Sequence, residues 1–201
     1  MAKRSPGASE SIALIGGHPV LDFVNTIEYR HTIRECDYIP TLRDVLLWSV
    51  RSRLLLPRDA TNVRITADSA ANIWHQLARL RQLLYEILIP IAEDRAVPAG
   101  SVAHFNQRAA RAAKYAGLRP VNGQLRWSWV GEARDPRRLE WELINGTISL
   151  LAERWQLIRV CANTPCDWLF LDTSRNRQRR WCQMQTCGNL SKVRRFRERH
   201  D

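Results

Sequence analysis

Hydrophobic residues recur at helical spacing through most of the chain. The longest series has intervals of 4, 3, 4, 3 and 4 residues and predicts one amphipathic helix that begins near Asp68. Its members are Ile73, Leu77, Leu80, Leu84, Ile87 and Ile91. Pro90 lies inside this series and is expected to kink or end the helix, because proline has no backbone N–H to donate.

Capping residues mark the starts of further helices. Thr41 is followed three residues later by Asp44, which resembles a capping box. Ser101 is expected to cap a helix after a turn rich in proline and glycine. Asp135 and Pro136 place a capping aspartate directly before a proline in the first helical position.

One segment has the alternation of a β-hairpin. Residues 118–121 and 124–130 flank Asn122-Gly123, a dipeptide typical of two-residue hairpin turns. Trp127 and Trp129 alternate with polar residues and are expected to lie in the core. Residues 1–155 are therefore predicted to form a mainly α-helical domain with a small β-hairpin, and residues 156–201 a separate C-terminal module.

The net charge is strongly positive. The 201 residues include 31 basic and 20 acidic side chains, for a formal charge of +11. Such a balance favours nucleic acid as a partner, and an anionic membrane surface after it. Of the basic residues 28 are arginine, a skew that a GC-rich genome also produces. With no long apolar run and no apolar segment at the N-terminus, we expect a cytoplasmic protein that does not bind membranes.

The excess charge is concentrated near the C-terminus. Residues 161–201 hold nine basic and four acidic residues, a net +5, and between Ser174 and Arg199 the single acid is Glu198. Lys192, Arg195 and Arg199 are spaced to share one face of a final helix, with Leu190, Val193 and Phe196 expected to pack against the module. The candidate nucleic-acid contacts are Arg175, Arg177, Arg179, Arg180, Lys192, Arg194, Arg195 and Arg199.

Four of the five cysteines fall inside the same module. They form two C-x(4)-C pairs separated by fifteen residues, while Cys36 stands apart. Paired cysteines in a reducing compartment indicate a metal site, here one structural zinc, although four buried thiols without metal remain an alternative. The proposed ligands are Cys161, Cys166, Cys182 and Cys187. A hairpin pairing residues 168–172 with 179–181, then a helix near Leu190, would complete a treble-clef-like zinc finger.

Two stretches resemble known families. WLFLDTSRNRQRRWC, followed by CGN, resembles the CGNR zinc-finger family, and GGHPVLDFVNT with TLRDVLLW resembles the ABATE domain that precedes this finger. The resemblance implies a stress-linked bacterial transcription regulator, with a helical sensor-like domain and a DNA-binding finger. One departure is Leu190, which stands where the motif has its arginine.

The remaining motifs argue against an enzyme. Four cysteine ligands leave zinc no open position, and no deaminase, P-loop, dinucleotide or serine-hydrolase signature occurs. His18, Asp22 and Asn25 lie together in GGHPVLDFVNT, where they either line a pocket for a small-molecule effector or brace the fold. Two alternatives to DNA binding stay open. The finger could be an interaction or homodimerisation module on a small-molecule sensor, or an RNA binder that stacks bases on Trp168 and Phe170.

Overall fold

The computed structural model describes residues 12–57, 60, 66–129, 135 and 137–199. Within these residues most of the regular structure is helical, as the hydrophobic spacing predicts. The helices are α1 (Pro19–Val24), α2 (Leu42–Arg51), α3 (Ala67–Ala92), α4 (Ala99–Ala113), α5 (Arg138–Arg154) and α6 (Asn189–Arg197). Three antiparallel strand pairs join β1 (Ile27–Glu28) to β2 (Cys36–Asp37), β3 (Ala116–Val121) to β4 (Gln124–Trp129), and β5 (Ile158–Val160) to β6 (Leu169–Leu171).

The long helix α3 is the central element. It packs against α1, α2, α4 and β5. The predicted hydrophobic series provides its inner face, since Leu77, Leu80, Leu84 and Ile87 are all buried. Pro90 lies in the last turn and the helix ends two residues later at Ala92, so the expected stop is confirmed. No helix in the described part of the chain is long and apolar enough to cross a bilayer.

The helix caps agree with the sequence in part. The Thr41 hydroxyl accepts the Asp44 N–H at 3.2 Å and caps α2 as predicted. The prediction for Ser101 is wrong: α4 begins at Ala99, and the Ser101 hydroxyl instead donates to Glu86 at 2.9 Å. Asp135 accepts the backbone N–H of Arg137 just before α5, whereas its neighbour Pro136 lies outside the described residues.

The hairpin β3–β4 turns at Asn122 and Gly123, which have φ values of 51° and 77° and so adopt the left-handed conformation of such turns. Trp129 reaches the core, where its ring lies 5.5 Å from that of Trp141. Trp127 is 61% exposed, so its predicted core position is wrong. Trp127 and Trp129 share one face of the hairpin, but Trp127 lies nearer the turn, and no described element covers that end of the hairpin.

The C-terminal module shares its core with the helical domain. Leu169, Phe170 and Leu171 of β6 are at most 1% exposed. The side chain of Asn25, at the end of α1, donates to the Leu169 carbonyl and accepts the Leu169 N–H, both at 2.8 Å. Gly16 accepts a further hydrogen bond from the Leu171 N–H at 2.8 Å. Strand β6 is therefore held directly against the first helix.

Candidate metal centre and basic surface

Four cysteine side chains converge at one point of the C-terminal module. The Sγ atoms of Cys161, Cys166, Cys182 and Cys187 all lie within 4.8 Å of one another. The Cys166–Cys182 distance is 3.8 Å and the Cys182–Cys187 distance is 3.6 Å. A tetrahedron with Zn–S bonds of about 2.3 Å has S–S edges of about 3.8 Å, whereas a disulfide requires about 2.05 Å. The donor set therefore fits one tetrahedral zinc ion, as the spacing of the cysteines predicts.

Two short turns position the four cysteine sulfur atoms. In the first, Cys161 follows β5, and a hydrogen bond of 2.6 Å from the Cys166 N–H to the Asn163 carbonyl closes a tight loop. In the second, Cys182 precedes and Cys187 lies within a single π-helical turn, Met184–Gly188, that leads directly into α6. A treble-clef-like arrangement, in which the second cysteine pair opens a helix, is the result.

The strand pairing inside the finger differs from the sequence expectation. Residues 168–172 do not form a hairpin with 179–181; instead β6 pairs with β5, which precedes the first cysteine. The segment before Cys182 reaches the first turn through one hydrogen bond, from the Ala162 N–H to the Arg180 carbonyl at 2.8 Å. The two cysteine pairs meet all the same, because this bond and the hydrogen bond from the Cys182 N–H to Cys161 Sγ at 3.4 Å hold the second pair against the first turn.

The thiols influence one another strongly. Hydrogen bonding with the Cys161 sulfur and burial raise the pKa values of Cys166 and Cys182. Hydrogen bonds from the Cys166 and Cys182 thiols lower the pKa of Cys161, and the Cys182 N–H donates to its sulfur at 3.4 Å. Protein groups alone thus favour the thiolate of Cys161 and oppose those of Cys166 and Cys182. A bound zinc ion would supply the positive charge that lets all four cysteines bind as thiolates.

Asp172 organises the loop between the two turns. It is fully buried; its Oδ1 accepts the N–H and hydroxyl of Ser174 at 3.0 and 2.5 Å, and its Oδ2 accepts the Arg179 N–H at 2.9 Å. Burial opposes ionisation, but these hydrogen bonds hold the pKa of Asp172 below its usual range. Residues 173–178 are thereby held on the surface, with Arg175 and Arg177 exposed. Asp172 is not among the site residues predicted from the sequence, although Asp-x-Ser is typical of such turns.

Arg179 faces inward, which corrects its assignment as a nucleic-acid contact. Its Nε donates to the Trp181 carbonyl at 3.0 Å, a second guanidinium nitrogen donates to the Cys182 carbonyl, and the group lies 4.4 Å above the Phe170 ring. Arg179 therefore holds the segment that carries the ligand Cys182. Its neighbour Arg180 is exposed, with its guanidinium 5.6 Å from the Trp181 ring centre.

The basic residues of the final helix differ in their contacts: one of them binds the first cysteine turn, and others extend into solvent. Arg194 donates to the Thr164 carbonyl at 2.9 Å and so ties α6 to the first cysteine turn. Lys192 and Arg195 are exposed on the helix, and Arg199 is exposed just beyond its end.

The apolar face of α6 does not pack as predicted. Leu190, Val193 and Phe196 are 58%, 48% and 64% exposed, so the expectation that they bury against the finger is wrong. The helix makes its main contact with the π-helical turn that precedes it, and that turn is too short to cover a whole face. Leu190, which replaces the arginine of the CGNR motif, enlarges this exposed apolar face.

The three candidate ligand-binding residues near the N-terminus all contact backbone. His18 Nδ1 accepts the Val20 N–H at 3.3 Å and caps α1. Asp22 accepts the Gly16 N–H at 2.8 Å, and burial raises its pKa to about 6 despite this bond. Asn25 joins α1 to Leu169 as described above. These contacts agree with the alternative that the three residues brace the fold. Asn25 also links the two parts of the chain.

Comparison with known protein families agrees with this architecture. A family model described as "Putative stress-induced transcription regulator", ABATE, matches residues 17–154. A second model, the CGNR zinc finger, matches residues 158–200 and includes all four cysteines. No curated protein matches the chain. The chain therefore belongs to the ABATE family and carries a C-terminal CGNR zinc finger with four cysteines placed to bind one zinc ion.

Proposed function

We propose that the protein is a DNA-binding transcription regulator whose zinc finger contacts the phosphate backbone. The observation that supports this proposal is a set of exposed cationic side chains. They lie on two segments next to the metal centre, the loop that leads to Cys182 and helix α6. Six candidate residues are exposed and have no inward hydrogen bond to a described residue through their guanidinium or ammonium groups: Arg175, Arg177, Arg180, Lys192, Arg195 and Arg199.

The metal centre explains how so small a module can position these charges. The loop that presents Arg175 and Arg177 leads through Arg179 to Cys182, and α6 begins two residues after Cys187. Zinc binding by the four thiolates would fix both segments against β6 and hence against the helical domain. The basic groups would then meet a duplex as a rigid surface, which lowers the entropic cost of binding.

Different residues would contact the DNA phosphates and read the DNA bases. Lys192, Arg195 and Arg199 are suited to phosphate contacts, which position a protein without reading sequence. Arg177 lies at the tip of the loop with φ 50°, and its side chain is exposed. Because Arg179 is engaged inside the finger, Arg177 is the better candidate for a bidentate contact with guanine.

We propose that zinc has a structural role and that the protein is not an enzyme. Four protein ligands complete a tetrahedral site, whereas catalytic zinc keeps a position for water or substrate. Cobalt substitution tests this assignment. A four-coordinate visible spectrum is expected, and a five- or six-coordinate spectrum with exchangeable water would contradict it.

The salt dependence of DNA binding tests the phosphate surface. If about five phosphates are neutralised, the slope of log K against log salt is expected near −4.5. The triple variant Lys192→Ala/Arg195→Ala/Arg199→Ala should flatten the slope by about 2.7 and weaken the binding of all DNA sequences alike.

The matched control is Arg43→Ala/Arg119→Ala/Arg126→Ala, which removes three exposed positive charges from the helical domain and should retain most of the slope. Fluorescence anisotropy with the zinc-loaded full chain measures both. An unchanged slope in the first variant, or an equal loss in the control, would refute this surface.

Regulation of particular genes needs a test inside cells. Crosslinking followed by sequencing of the DNA that copurifies should give discrete sites sharing a short motif. A uniform distribution over the chromosome would contradict the role of a specific regulator. Such a role places the protein in the cytoplasm, where we propose that it acts.

The exposed apolar face of α6 favours a second candidate function, a zinc-stabilised interaction or homodimerisation module. Leu190, Val193 and Phe196 lie three residues apart, so they share one side of the helix. Sedimentation equilibrium of the wild type and of Leu190→Glu/Val193→Glu separates the two functions, because a dimer that the variant abolishes would support the module. The RNA alternative has less support, since Trp168 and Phe170 are 8% and 0% exposed and cannot stack on bases.

A further inference from the structure

A groove of about 430 Å³ lies between α3 and α4, and none of its lining residues belongs to α1 or is a cysteine of the metal centre. This volume is within the usual range for small-molecule sites, about 300–1,000 Å³. The buried side chain of Leu83 contributes an apolar surface. The polar lining that bears on its chemistry consists of Arg79, Arg108, Arg111, His104, Glu86 and Gln82.

The charges in this groove are unbalanced. Three arginines face one carboxylate, Glu86, which already accepts hydrogen bonds from Ser101 at 2.9 Å and from Gln82 at 3.2 Å. Arg108 is paired with Glu140 at 2.5 Å. Arg79 and Arg111 form no hydrogen bond or ion pair with any residue in the described ranges. Two guanidinium groups are thus available to an incoming anion.

We propose that this groove binds a small organic anion, a carboxylate or phosphate ester with an apolar body. Guanidinium groups bind both kinds of anion through paired N–H donors, and Arg79 and Arg111 would supply them from two facing helices. The apolar surface of Leu83 suits the body of the ligand. The inference rests on the proposed function as a transcription regulator, and it gives the helical domain the sensor role that the resemblance to the ABATE domain implies.

A chain of contacts joins the groove to the finger. Gln82 accepts a hydrogen bond from Arg30 at 3.4 Å while its amide donates to Glu86. Arg30 Nε lies 3.7 Å from the carboxylate of Asp167, the residue that follows the zinc ligand Cys166. A ligand that displaces Glu86 or Gln82 would therefore alter the hydrogen bonding of Arg30, which touches both parts of the chain. This gives an effector in the groove a physical route to the finger.

Calorimetric titration of the zinc-loaded full chain tests the site. The probes are phenyl phosphate and benzoate, with phenol as the uncharged comparison. We expect at least one anion to bind saturably and phenol to bind far more weakly. The variant Arg79→Gln/Arg111→Gln should weaken anion binding about tenfold or more, since each lost charged hydrogen bond costs roughly that factor. The matched control Arg119→Gln/Arg126→Gln, on the exposed hairpin, should bind like the wild type.

The outcomes separate this inference from the DNA-binding proposal. No binding of either anion to the wild type, or equal binding by the groove variant, would overturn the effector site and leave the DNA surface untouched. The groove variant is expected to keep the wild-type salt slope on DNA. If it loses DNA affinity together with anion affinity while the control does not, the groove belongs to the DNA surface and the effector site is refuted.

Discussion

Replacing Asn25 with leucine tests how the helical domain holds the finger. Asn25 is 2% exposed, and its amide satisfies both the N–H and the carbonyl of Leu169 at 2.8 Å. Leucine has the same branching but no polar atoms, so both backbone groups would be left buried and unpaired. Each such group costs about 1–3 kcal/mol, and the added apolar contact offsets about 1 kcal/mol. The expected loss in the free energy of unfolding is therefore about 3 kcal/mol.

Urea denaturation of the zinc-loaded protein, followed by tryptophan fluorescence and by circular dichroism, measures this loss. The matched control is Asn106→Leu, an exposed asparagine on α4, for which a change within about 0.5 kcal/mol is expected. If Asn25→Leu costs less than about 1 kcal/mol, the bridge contributes no net stability and the reasoning fails. If the two probes separate in the variant but coincide in the wild type, the bridge couples the unfolding of the two parts.

Two further predictions concern the metal and a buried acid. One zinc per chain is expected by metal analysis, and Cys166→Ser or Cys182→Ser should lose the zinc and unfold the finger while most of residues 1–155 stay folded. Cys36→Ser is the control, and a protein purified without chelator that holds no zinc would contradict the site. Burial raises the pKa of Asp22 from 3.8 to about 6, because the folded protein favours the neutral carboxyl group. The free energy of unfolding therefore has its full contribution from Asp22 below about pH 4 and loses it as the pH rises through 6. Asp22→Asn should therefore be more stable than the wild type above pH 6, by roughly 1–3 kcal/mol, with the gap closing towards pH 4; thermal melts at pH 4 and 7.5 that show the same gap would refute this.

The sequence by itself determined the features that depend on local spacing. The hydrophobic series from Ile73 to Ile91 predicts α3, because a helix repeats every 3.6 residues whatever it packs against. Asn122-Gly123 predicts the β3–β4 turn, because few other residues adopt positive φ at low cost. The two cysteine pairs predict the zinc ligands, because the metal requires four donors and the module offers four cysteines.

Only the tertiary structure decided the features that depend on which surfaces meet. Pairing of β6 with β5 rather than with residues 179–181 follows from contacts across the shared core, which spacing does not encode. Arg179 and Arg177 have the same chemistry and lie two residues apart, yet one contacts Phe170 and the Cys182 carbonyl while the other is exposed. Leu190, Val193 and Phe196 have the spacing of a buried face but remain exposed, because periodicity indicates an apolar face and not whether another element covers it.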